Sequence, residues 1–128
     1  MKSFEKTKAT ILIVEDDMFN VEYLTELLSE TNHIILHTAY GKKAVDISTT
    51  QDIDIVLMDI RLPDIDGYEA TRQIKRQKPK LKIVAQTAYA APADRQKALD
   101  AGCDEYISKP IAKDKFFELL NRVMFLTQ

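Results

Sequence analysis

The chain has 128 residues, 45% hydrophobic and 30% charged, with a formal net charge of -2. That length allows one domain around one core, and the charge balance argues against a nucleic-acid or membrane-surface binder driven by bulk positive charge. Cys103 is the one cysteine, which excludes an internal disulfide, and no apolar run approaches the ~20 residues that span a bilayer.

Residues 1–9 form a polar lead without the apolar centre of a signal peptide, so a cytoplasmic location is expected. Thr10 then leads a compact aliphatic run, 11–14, that reads as a buried strand. Residues 18–29 place Phe19, Tyr23, Leu24, Leu27 and Leu28 at helical spacing. A strand is expected over 34–38, a short helix over 42–50 and an apolar strand over 53–58. Residues 67–77 read as a helix closed before Pro79, and 83–86 as a strand. Pro92 suits the first turn of a helix, which runs to Ala101 with Gly102 as a left-handed cap. A strand over 105–108 and a helix over 113–125 complete the chain, the helix offering Phe116, Leu120, Val123 and Met124 to the core. Five strands alternating with helices predict an α/β fold, a parallel sheet covered on both faces.

The polar residues are informative by position. In an open α/β sheet, ligands bind beyond the carboxyl ends of the strands. The first strand runs into Glu15, Asp16 and Asp17, the third into Asp59, the fourth into Thr87, and the fifth into Lys109 and Pro110. Parallel neighbours would bring these side chains to one rim. Clustered acids repel, and some must stay protonated unless a cation joins them. Magnesium binds through one or two carboxylates plus waters and phosphate oxygens, which matches this set. Taken singly, each residue has a plainer reading. Asp17 can cap a helix, a strand-end threonine is ordinarily structural, and a lone lysine is ordinarily solvated. Together they point to a site, where an ammonium can pair first with an aspartate and then with a phosphoryl oxygen. Cys103 reads as a packed thiol. His33 and His37 read as packing or surface residues. The Lys109-Pro110 bond is open to either isomer.

With those residues in view, the chain resembles the receiver domain family of response regulators and hybrid histidine kinases. The resemblance rests on Ile11-Leu-Ile-Val-Glu-Asp-Asp17, Met58-Asp-Ile-Arg-Leu-Pro-Asp-Ile-Asp-Gly67, Thr87-Ala88 and Ser108-Lys-Pro110, in family order. It implies one receiver domain over 10–126, with a flavodoxin-like (βα)5 fold whose doubly wound parallel sheet has strand order 2-1-3-4-5. It implies Asp59 as phosphoacceptor, with Lys109 and Thr87 binding the phosphoryl group. It also implies Mg2+ held by Asp16, by Glu15 through water, by Asp59 and by the Arg61 backbone carbonyl. Glu15 stands where many relatives have aspartate. Thr87 and Tyr106 match the switch pair.

The function implied is signalling rather than enzymatic turnover. The domain takes a phosphoryl group from a histidine kinase or histidine phosphotransfer protein and assists its own Mg2+-dependent phosphorylation and dephosphorylation. It then switches a face formed by the fourth helix, fifth strand and fifth helix, read by a downstream protein. Direct nucleic-acid binding and membrane insertion are not expected. Residues 94–111 and Asn20 look most like receivers of hybrid kinases, so the chain is expected to be a stand-alone regulator or a piece of such a kinase. A DNA-binding output domain after the fifth helix is not expected. Arg61 and Tyr89 are expected to flank the mouth and tune the access of water.

Other readings fit less well. A phosphatase of the haloacid dehalogenase type would show a second acid two residues after the nucleophile, where this chain has Arg61. A flavodoxin-like cofactor binder needs a Gly-, Ser- or Thr-rich loop after the first strand, and Glu-Asp-Asp there repels phosphate. An inert receiver would not need the full set of acids, threonine and lysine.

Overall fold

The computed structural model describes residues 8–88 and 91–125. The elements are β1 (Thr10–Val14), α1 (Met18–Leu28), β2 (Ile34–Thr38), α2 (Gly41–Thr50), β3 (Ile55–Asp59), α3 (Gly67–Gln77), β4 (Lys82–Thr87), α4 (Pro92–Ala101), β5 (Glu105–Ser108) and α5 (Lys113–Phe125). All strand pairs are parallel, in the order β2-β1-β3-β4-β5. This is the expected fold.

Strands buried on both faces must be largely apolar, and β1 and β3 meet that demand over nearly their whole length, while β4 does so over Ile83, Val84 and Ala85 before turning polar at Gln86 and Thr87. Side-chain alternation sorts them into two cores. Ile11, Ile13, Ile55, Leu57 and Val84 pack with Leu24 and Leu28 of α1 and Phe116 and Leu120 of α5. Leu12, Val14, Val56, Met58, Ile83 and Ala85 pack with Ala44 of α2, Ile74 of α3 and Ala98 of α4. A fully buried Leu or Ile contributes roughly 1.5–3 kcal/mol. By that measure α4 is the lightly held helix, because it buries only Ala98 and Ala101.

Local chemistry sets the helix ends. Asp17 Oδ1 accepts from the Phe19 N–H at 3.0 Å, and Asp66 Oδ1 from the Glu69 N–H at 2.8 Å. No side chain at its own N-cap serves α2. Asp64, in the loop after β3, instead accepts from the Gly41 and Lys42 N–H groups at 2.7 and 2.9 Å. Gly102 ends α4 at φ 109°, in the left-handed region. At Gly67 the constraint is space: a Cβ would lie 2.2 Å from the Asp59 carbonyl oxygen.

The third strand begins later than expected and includes Asp59, which pairs opposite Gln86. The shift has a cause: Asp54 Oδ2 accepts from the Thr10 N–H at 2.8 Å and so lies before the pairing begins. Lys109-Pro110 is cis. Among the described residues, no helix is long and apolar enough to cross a membrane.

Candidate functional site

The chain runs from β1 outward to β2 and then returns to place β3 on the other side of β1. That reversal opens a crevice at the carboxyl ends of β1 and β3. Alternation decides which residues face it together. Glu15 continues the parity of Ile11 and Ile13, Asp59 that of Ile55 and Leu57, and Lys109 that of Ile107, all on the α1/α5 face. Thr87 continues the parity of Ile83 and Ala85, on the opposite face.

The structure brings the expected groups to one pocket of about 280 Å3, lined by Glu15, Asp16, Asp59, Arg61, Thr87 and Lys109 among others. Lys109 Nζ lies 2.7 Å from Glu15 Oε1 and 3.3 Å from Asp59 Oδ1. Glu15, Asp16 and Asp59 each offer one carboxylate oxygen within 4.8 Å of the others. Glu15 is 0% exposed and Asp59 6%, while Asp16 stands in solvent.

Two buried carboxylates, Glu15 and Asp59, therefore share one ammonium, and the shortage falls unequally. Burial and the adjacent Glu15 carboxylate push the Asp59 carboxyl up to about 7, against the pull of Lys109. Burial also works to raise Glu15, but hydrogen bonds with Lys109, Asp59 and Asn20 outweigh it and hold that carboxyl below its ordinary value. Burial lowers the Lys109 ammonium, and its bonds to the two acids more than offset this. The shorter contact explains the asymmetry: Lys109 and Asn20 both serve Glu15 closely. Asp59 is left with more negative charge than its surroundings compensate.

The acid pair is the donor set a hard cation requires. Carboxylate oxygens from separate strands stand close enough to share an ion, and the exposed Asp16 adds a third without full desolvation. A magnesium ion fits this site on those grounds.

Thr87, 3% exposed, also borders a second cleft of about 490 Å3 on the α3/α4 side, together with Arg61, Tyr68, Asp94 and Lys97. Tyr68 donates its hydroxyl to the Asp94 carbonyl at 3.3 Å. Tyr106 lies outside the acid pocket. It pairs opposite Ala85 and packs, half-buried, against the α2–α4 core, on the same face as Thr87. Tyr89 lies outside the described residues. Cys103 is buried near Thr71, and burial pushes its thiol up to about 11, so it stays protonated and enclosed.

Several residues support the site through contacts that the sequence did not foretell. His37 Nε2 is 2.8 Å from the Glu15 backbone carbonyl, a partner that packing alone did not predict. Asn20 Nδ2 donates to Glu15 Oε1 at 2.6 Å and to Gln86 Oε1 at 3.1 Å. Gln86 carried a visible signal, as a polar residue in an aliphatic buried strand.

Comparison with known proteins agrees with this geometry. The family described as response regulator receiver domain matches residues 11–121. The polar-differentiation response regulator DivK of Brucella ovis is 32% identical over 113 residues, 87% of this chain and 92% of that protein. The receiver domain of sensor histidine kinase PA1611 from Pseudomonas aeruginosa PAO1, solved with magnesium coordinated in its active-site cleft, superposes with a TM-score of 0.86 at 35% identity. That match covers 92% of this chain and 98% of the other. The signal receiver domain of a histidine kinase from Syntrophus aciditrophicus gives a TM-score of 0.82 at 28% identity, covering 91% and 90%.

Proposed function

The chain belongs to the response regulator receiver domain family, and from that membership we propose that Asp59 is its phosphoacceptor. Receivers are phosphoacceptor signalling domains that work with histidine kinases or histidine phosphotransfer proteins. One receiver unit over 10–126 is supported by the family match across 11–121. The observation that carries the assignment of Asp59 is its setting: a buried carboxylate at a strand end, between Glu15 and the Lys109 ammonium.

The chemistry follows from the residues. An ionised Asp59 oxygen attacks the phosphorus of a phosphohistidine. The new O–P bond forms as the P–N bond breaks, and the electron pair leaves with the imidazole. Phosphoryl transfer rests on positioning and charge neutralisation. Lys109 moves its hydrogen bonds from the acids to a phosphoryl oxygen, and the Thr87 hydroxyl donates to another. Asp16, Glu15, Asp59 and the Arg61 carbonyl would hold Mg2+, which when bound supplies the positive charge that the acids and phosphoryl oxygens lack. The same groups assist water in reversing the modification, and Arg61 at the mouth limits its approach.

The phosphoryl group carries a charge of about −1.5 to −2, in place of the single charge of the carboxylate, and brings strong acceptor oxygens. Thr87 is drawn toward them and away from the cleft on the α3/α4 side. Tyr106 shares that face, and α4 is lightly held, so the α4-β5-α5 surface is the part that changes for a downstream protein.

Asp59→Asn tests the assignment. Incubated with acetyl phosphate and Mg2+, the wild-type chain takes up one phosphoryl group by mass spectrometry and the variant takes up none. Labelling of the variant at the wild-type level would remove Asp59 from the role. Beryllofluoride with Mg2+ tests the switch, with the expected result a shift of the Thr87 and Tyr106 resonances.

A further inference from the structure

We infer that Asn20 and Gln86 are positioning residues of the phosphoacceptor site, an amide relay from a half-buried asparagine to a buried glutamine that fixes the Glu15 carboxylate and, through it, the Lys109 ammonium. The inference rests on the reading of Asp59 and its neighbouring acids given above.

Glu15 sets the problem. It has one more rotatable bond than an aspartate, so holding it in one geometry costs more side-chain entropy. In this fold both its oxygens are engaged. Oε1 accepts from Lys109 Nζ at 2.7 Å and from Asn20 Nδ2 at 2.6 Å, and Oε2 accepts from the Asp17 N–H at 3.2 Å. Asn20 is the neutral member of that clamp. It opposes the swing that would carry Glu15 along with Lys109 when the ammonium turns to a phosphoryl oxygen.

Asn20 is in turn held by Gln86, whose Oε1 accepts from Asn20 Nδ2 at 3.1 Å. The two N–H bonds of one amide nitrogen are thereby divided between a carboxylate and a carbonyl, both of which only accept. That fixes which way each amide faces. Asn20 lies one helical turn before Leu24, on the face of α1 that packs on the sheet. Gln86 follows the parity of Val84, so it rises from β4 to meet it.

Stability does not explain Gln86. It is 1% exposed, follows Ile83, Val84 and Ala85 in the strand, and its Nε2 has no hydrogen-bond partner among the described residues. An unmet buried donor is destabilising, a penalty that a leucine or methionine of similar volume would avoid. Sequences break such packing rules at functional sites. Gln86 is absent from the lining of the acid pocket, so it acts through Asn20. It also stands beside Thr87 in the chain and opposite Asp59 in the sheet, which ties the clamp to both strands of the site.

The test compares Asn20→Ala, Gln86→Leu and the double variant in the full chain, with Gln86→Met in reserve should leucine not be accommodated. MgCl2 titrations are followed by backbone amide shifts at Asp16 and Asp59. Each single variant is expected to bind Mg2+ about tenfold more weakly, the lower end for outer partners of metal ligands. The double variant should be no weaker than Asn20→Ala, because the two residues act as one unit. In metal-free protein the Asn20 side-chain amide protons exchange slowly, and Gln86→Leu speeds them. Urea unfolding in EDTA shows Gln86→Leu at least as stable as wild type. Affinities within about twofold of wild type, or losses that multiply in the double variant, overturn the relay. So does a loss of affinity in Gln86→Leu that is matched by an equal loss of metal-free stability. If wild type itself neither binds Mg2+ at these acids nor takes up phosphoryl, the phosphoacceptor reading fails instead.

Discussion

The two edges of the sheet use the same residue types to opposite ends. At the amino edge, Asp54 accepts from the Thr10 N–H at 2.8 Å and His33 Nδ1 from the Ala9 N–H at 3.0 Å. Asp104 accepts from the Ile83 N–H and from Lys75 Nζ, each at 2.9 Å. Each acceptor there meets a backbone donor at the start of a strand. At the carboxyl edge, Glu15 and Asp59 meet one another, and one ammonium serves both. An acid holds the fold together where a donor is at hand and becomes a reactive group where donors run short.

The largest expected effect tests the second half of that contrast. Burial and the Glu15 carboxylate push the folded Asp59 carboxyl up to about 7, well above the ordinary aspartate range. The folded state therefore keeps a proton that the unfolded state releases, and metal-free stability falls as pH rises from about 4 to about 7 and then levels. Asp59→Asn removes this cost. In EDTA at pH 8 its urea unfolding should show a gain on the order of 3 kcal/mol over wild type, shrinking toward zero near pH 4. An equal effect at both pH values would mean that Asp59 is not strained by its neighbours.

An intermediate effect tests the first half. Asp104→Ala leaves the Ile83 N–H without its acceptor and is expected to lose about 1–3 kcal/mol of stability. Phosphoryl uptake by the folded variant should match wild type, and a change in it would blur the division between the edges.

The smallest effect belongs to His33. Burial lowers its ionisation, in spite of the Asp54 charge, and the bond from the Ala9 N–H needs Nδ1 bare. The unfolded chain takes up this proton first, so the contribution is whole above about 6.5 and declines as pH falls below it. His33→Asn should flatten that part of the stability profile. A profile unchanged by the substitution would separate His33 from the edge's donor–acceptor pairing.

The fold was legible because its signals are local. Runs such as Ile11 to Val14 and Ile55 to Met58 are apolar without interruption, and Gly102 and Pro92 mark the ends of α4. The acids, Thr87 and Lys109 were legible because topology alone sends strand ends to one rim. Support for the site was harder to see, because it depends on pairs that sequence does not rank. Asn20 and Gln86 stand 66 residues apart. His37 bonds to the backbone of Glu15, which no residue type advertises. Asp54 looked like part of a strand because its neighbours are isoleucines, and only the bond across to Thr10 shows that it precedes one. Likewise, the shared face of Thr87 and Tyr106 needed the register of β4 on β5.

Gly67 carries a mechanical consequence. With the Asp59 carbonyl where the next carbon would go, and the Gly67 N–H bonded to the Ile60 carbonyl at 2.8 Å, the front of α3 and the tail of β3 meet backbone to backbone. No pliable side chain lies between to damp a push. The absence of a side chain at Gly67 is thus what lets α3 start against the end of β3, directly behind the strand-end acid.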